Sequence, residues 1–95
     1  MINELSNMYA KKALTMLNDA LDTRASDDFR KVQNAIHELE NHDHLCWSNN
    51  EVTNKSIKHL IHLLESVIEI NTFPIEIRFG IIEIAAVRLD HMIYK

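Results

Sequence analysis

The chain has 95 residues, of which 46% are hydrophobic, and carries a net charge of −4 at pH 7, with one Cys, one Gly and one Pro. The length predicts a single domain over residues 1–95, and the hydrophobic fraction excludes a disordered chain. The acidic balance argues against nucleic-acid binding, and the scarcity of Gly and Pro argues against a turn-rich β fold and favours long helices.

The single cysteine excludes a disulfide within the chain and suits a reducing compartment. The N-terminal residues lack the basic and apolar regions of a secretory signal, and no apolar run has the length of a membrane span. We therefore expect a cytoplasmic protein with no membrane association.

The first half of the chain predicts two amphipathic helices. Over about residues 3–22, apolar side chains recur at helical spacing while polar side chains occupy the other side. Ser26 or Asp27 can cap a second helix over about residues 27–41. Its apolar stripe is narrower and consists of Phe29, Val32, Ile36 and Leu39.

The pattern breaks over residues 40–52, ENHDHLCWSNNEV, where several metal-ligating side chains cluster. Nitrogen and sulfur ligands that zinc prefers are offered by His37, His42, His44 and Cys46, although their spacing is not that of a known structural zinc module. A solvated polar connector is the alternative interpretation. We expect no resident cofactor and keep a zinc site as the minority hypothesis.

The same stretch contains a thiol and a base, Cys46 and His44, which are two parts of a nucleophilic site. Acyl transfer also needs an oxyanion pocket, and the one glycine, Gly80, lies on another element. No glycine-rich phosphate loop is present. We therefore predict that the protein is not an enzyme.

The tryptophan of this stretch, Trp47, has two interpretations. Tryptophan is a favoured interface anchor, so an exposed Trp47 would suit docking on a partner. A large aromatic side chain can equally fold back and close the end of a helical bundle. The sequence leaves both interpretations open.

A third helix is predicted over about residues 54–70, capped by Thr53 or Asn54. Its apolar stripe is the most regular in the chain and consists of Ile57, Leu60, Ile61, Leu64, Val67 and Ile68.

Part of this segment, EVTNKSIKHLIHLLE at residues 51–65, resembles the YmgB/AriR-like family of small enterobacterial helical regulators. The similarity lies in Asn54-Lys55, Ile57, Leu60-Ile61-His62 and Leu64-Glu65. The family has one more residue between the Asn-Lys pair and the Leu-Ile-His run. The resemblance implies an acidic helical protein that acts by protein contact on signalling and on biofilm or acid-stress pathways, and it transfers no functional residue.

The fourth segment, about residues 74–94, begins ambiguously because PIEIRFG alternates apolar and polar residues as a strand does. The run beyond Gly80 has a helical period and a lone strand has no partner, so we predict a helix that Pro74 can start. This helix carries one apolar stripe from Ile75 to Ile93 and a second stripe, Ile77, Ile81 and Ile84, on nearly the opposite side. An acidic seam lies between the stripes and consists of Glu76, Glu83 and Asp90.

A helix that is apolar on two sides is either central in its bundle or shared with another chain, most commonly across a two-fold axis. We predict an all-α bundle of four helices. Its function would be that of a small non-enzymatic regulator or inhibitor that docks an apolar helix face or the 42–47 loop on a protein partner and also forms a homodimer. The predicted contact residues are Ile77, Ile81, Ile84 and Trp47.

The alternative function is a metal- or pH-responsive sensor that uses the His/Cys cluster at residues 37–46. Protonation of all six histidines would change the net charge by six units, from −4 to +2. This hypothesis predicts that chelation or mild acid changes the assembly.

Overall fold

The computed structural model describes residues 4–23, 29–40, 51–70 and 72–94, and these residues form four α-helices joined without any strand among them. The all-α prediction is confirmed, and the predicted bounds agree with the observed ones to within three residues. The helices are α1 (Glu4–Thr23), α2 (Phe29–Glu40), α3 (Glu51–Glu69) and α4 (Ile75–Tyr94).

The helices close into a ring, because α1 packs against α2 and α4, and α3 packs against the same two helices. Contacts at the two ends of α4 define its direction. Lys11 in the first half of α1 places its Nζ 5.7 Å from the ring centroid of Tyr94 at the end of α4. Arg78 near the start of α4 reaches Val67 near the end of α3. Helix α4 therefore runs antiparallel to both of its neighbours.

The apolar stripes that the helical period predicts meet in one core. The most regular predicted stripe, that of α3, is buried except at Ile68, which packs against the core from its edge. Burial of each large aliphatic side chain contributes about 1.5–3 kcal/mol to folding. The largest fully buried side chains are Leu17, Val32, Leu39, Ile57, Leu60, Leu64, Val67, Ile82 and Leu89.

Arg78 fixes the turn between α3 and α4. Its Nε donates a 2.8 Å hydrogen bond to the Val67 carbonyl oxygen, and its guanidinium lies 4.0 Å from the centroid of the Phe29 ring on α2. The last carbonyl groups of a helix lack partners within the helix, and cationic side chains are suited to them. One side chain of α4 therefore tethers both α2 and α3.

The ambiguous start of the fourth segment is helical. The backbone N–H groups of Ile77 and Arg78 donate to the Pro74 carbonyl oxygen at 3.0 and 3.1 Å, which opens the first turn. Phe79 is then buried with its ring centroid 5.4 Å from that of Phe29. The prediction of a helix is confirmed, because α4 begins at Ile75. The alternating segment PIEIRFG has no strand partner among the described residues.

The predicted cap of the third helix is wrong. Helix α3 begins at Glu51, so Thr53 and Asn54 lie inside its first turn and neither precedes the helix. The predicted cap of the second helix, at Ser26 or Asp27, lies outside the described residues. Among the described helices, none combines the length and apolar character needed to cross a membrane.

Candidate docking face on helix α4

Helix α4 presents a row of apolar side chains on the side that faces away from the core. Ile77 is 51% exposed, Ile84 is 52% exposed and Val87 is 58% exposed, whereas Ile82 and Leu89 on the inner side are fully buried. Residues seven apart in a helix lie on nearly the same side. We use the name outer face for the row Ile77, Gly80, Ile84, Val87 and His91.

The structure brings two of the three predicted isoleucines onto this face. Ile77 and Ile84 lie on it, while Ile81 is half-buried and packs against the core. Trp47, the other predicted contact residue, lies outside the described residues. Among the described helices α1 and α3 pack along α4, and α2 contacts it through Phe29. None of the three covers the exposed side chains of the outer face.

Gly80 interrupts the row between Ile77 and Ile84. A Cβ atom built on Gly80 would meet no atom within 4 Å, so the described part of the chain does not require glycine there. Glycine inside a helix costs about 0.5–1 kcal/mol relative to alanine. Gly80 therefore leaves a gap in the outer face. It lowers the stability of the helix, and no close contact among the described residues requires a glycine there.

On the α3 side of the outer face lies a groove of about 720 Å³ with a basic rim. Its floor is mainly apolar and includes Leu60 and Met92. Its rim carries Lys55 and His59 from α3 and Arg88 from α4, which we call the basic flank. None of the described residues that line this groove is acidic, although the chain as a whole has a charge of −4.

On the α1 side lies a second groove, of about 810 Å³, with the opposite charge. Asp22 from α1 and Glu83 and Asp90 from α4 line it, and we call these three residues the acidic flank. None of the described residues lining this groove is basic. Glu83, Arg88 and Asp90 are exposed, and none of them forms an ion pair with another residue that the structure describes.

Gly80 and Val87 belong to the outer face although neither was predicted there, and the basic flank was not predicted either. The seven-residue spacing of Ile77, Ile84 and His91, repeated by Gly80 and Val87, was the signal that could have found the outer face. The basic flank had no such signal, because Lys55 and Arg88 line the same groove only once α3 packs on α4.

The predicted zinc ligands are not brought together by the described residues. His37 is exposed on α2, and His42, His44 and Cys46 lie outside the described part of the chain. Among the residues that are described, no three His, Cys, Asp or Glu side chains are placed to hold a metal ion. The zinc site and the absence of enzymatic activity both stay predictions.

Comparison with known proteins gives no relative, since no family model, curated protein or solved structure matches the chain at a significant level. The resemblance of residues 51–65 to the YmgB/AriR-like family stays a prediction.

Proposed function

We propose that the chain is a non-enzymatic regulator or inhibitor that acts by docking the outer face of α4 on a protein partner. The observation that supports this function is the row of Ile77, Ile84 and Val87, each more than half exposed beside the gap at Gly80. Apolar side chains that line up on one exposed helix face are typical of protein contact surfaces.

Covering the apolar side chains of the outer face would contribute to the free energy of binding. Covering the half-exposed side chains of Ile77, Ile84 and Val87 would contribute about 1 kcal/mol each, half the value for burying a fully exposed side chain. The charged flanks on either side would fix the orientation of the partner, because complementary charges contribute mainly to specificity. Docking on this face would then block or recruit the partner.

Site-specific photo-crosslinking in cells that naturally make the protein tests this function. A benzophenone amino acid placed at Ile84 should give adducts heavier than the 11.1 kDa chain, because Ile84 lies at the centre of the outer face. The matched control carries the same group at Asn34, an exposed position on α2. It should give no such adduct.

Adducts with a second copy and adducts with another protein would both support docking at this face. No adduct from Ile84, or equal adducts from Ile84 and Asn34, would contradict it. Mass spectrometry of the adducts identifies the partner in either case.

A further inference from the structure

We propose that the partner of the outer face is a second copy of this chain, bound so that the two α4 helices run parallel about a two-fold axis. This inference rests on the proposed function, since it names the occupant of the same face. Three features of α4 carry it, namely the spacing of its exposed apolar residues, the gap at Gly80 and the charges of its two flanks.

The spacing is that of a coiled-coil seam. Ile77, Ile84 and His91 repeat every seven residues, and Gly80 and Val87 follow three residues after the first two of them. These are the a and d positions of a heptad, which meet the same positions of a second helix. A second copy of α4 offers the same row, so the face is complementary to itself.

Gly80 allows the two helices to approach closely at one point. It occupies a d position between Ile77 and Ile84, and the space outside it is open. In a parallel pair, equivalent d positions lie opposite each other across the axis. The two Gly80 residues would then meet backbone to backbone, while Ile77 and Ile84 close the contact above and below.

The charged flanks select the orientation. A two-fold axis parallel to α4 places the acidic flank of one copy against the basic flank of the other, and does so twice. In heptad terms Glu83 occupies a g position and Arg88 the following e position, which pair across a parallel coiled coil. The acidic residue Asp90 would lie near the partner's Lys55, since Lys55 lines the groove beside the last turns of α4.

The antiparallel arrangement brings like charges together. A two-fold axis perpendicular to α4 leaves the acidic flank of each copy on the same side, so that Glu83 and Asp90 face acidic residues of the other copy. It also places the Arg88 residues of the two copies on the same side of the helix pair. Like charges placed opposite each other disfavour this arrangement.

Disulfide trapping distinguishes the arrangements. In a Cys46→Ser background, Ile77→Cys and His91→Cys each place one thiol on the outer face, at positions about 21 Å apart along the helix. Residue 84 lies midway between them. A parallel pair puts residue 77 opposite 77 and residue 91 opposite 91, whereas an antiparallel pair centred on Ile84 puts 77 opposite 91.

Under mild oxidation at high micromolar concentration, we expect each single variant alone to form a disulfide-linked dimer. The control Asn34→Cys, exposed on α2, should stay monomeric and so reports random collision. A disulfide dimer that forms only when the Ile77→Cys and His91→Cys proteins are mixed would overturn the parallel orientation.

Failure of both variants and of their mixture to form dimers above the Asn34→Cys control would overturn the proposed parallel pair, and a wild-type chain that is also monomeric in sedimentation velocity would overturn self-pairing altogether. The proposed function would survive that result if photo-crosslinking at Ile84 captures a different protein, so the two proposals fail separately. Circular dichroism of each variant checks that the helices remain folded.

Discussion

Replacing Gly80 with alanine should stabilise the single chain and weaken its pairing. Gly80 lies inside α4 with open space where its Cβ would be, so the methyl group meets no atom of the described chain. Alanine is favoured over glycine in a helix interior by about 0.5–1 kcal/mol. A domain of this size gains about 4–8 °C per kcal/mol, which predicts a rise in Tm of about 2–8 °C.

The same substitution should weaken association of the two copies, because both place residue 80 where their α4 helices approach most closely. Overpacking of a fitted contact costs about 1–3 kcal/mol, and a loss of this size weakens association by about one to two orders of magnitude. Thermal unfolding followed by circular dichroism at low concentration measures the first effect. Sedimentation velocity over a concentration series measures the second.

Asn34→Ala on α2 is the matched control, since it also favours helix formation at an exposed position but lies away from α4. It should raise the Tm and leave association unchanged. A lower Tm for Gly80→Ala would refute the reasoning, because the fold itself would then need the glycine. An unchanged association constant would show that no helix approaches Gly80 closely.

Four further substitutions test the core, the α3–α4 turn and the flanks. Leu64→Ala removes a fully buried side chain and should lower the free energy of unfolding by about 2–5 kcal/mol in urea titrations. Arg78→Ala removes the hydrogen bond to α3 and the ring contact with α2, and should cost about 1–3 kcal/mol in the same assay. Glu83→Lys or Arg88→Glu alone should weaken pairing in sedimentation velocity, and the two together should restore it.

Each of these expectations has a contradicting result. Loss of less than 1 kcal/mol in Leu64→Ala would show that the core is not packed around this residue. An Arg78→Ala variant as stable as the wild type would show that Arg78 does not stabilise the packing of α4 on α2 and α3. Stronger pairing in Glu83→Lys would indicate that acidic residues face each other, as the antiparallel arrangement requires.

The buried side of the bundle was predictable because its signal is local. Helical periodicity alone places Ile57, Leu60 and Leu64 on one side of a helix, and the structure buries all three. The start of α3 was predicted incorrectly at Thr53 or Asn54. Capping preferences are weak and local, so they place a helix boundary only to within a few residues.

The candidate face was only partly predictable. The second apolar side of α4 was visible in Ile77 and Ile84, but the half-burial of Ile81 depends on how closely the neighbouring helices approach α4. The charge difference between the flanks depends on which helix lies on each side. Residues far apart in the sequence, such as Lys55 and Arg88, form one rim only in the folded bundle.

Sedimentation velocity of the untagged chain beside an Ile77→Glu, Ile84→Glu double variant tests most directly whether the outer face of α4 associates. Both side chains are about half exposed, so the double variant should keep the helical circular dichroism of the wild type. The wild type should form a reversible dimer as concentration rises, and the variant should remain a monomer. A wild-type chain that stays monomeric throughout, or a variant that dimerises equally well, would contradict self-pairing through the outer face.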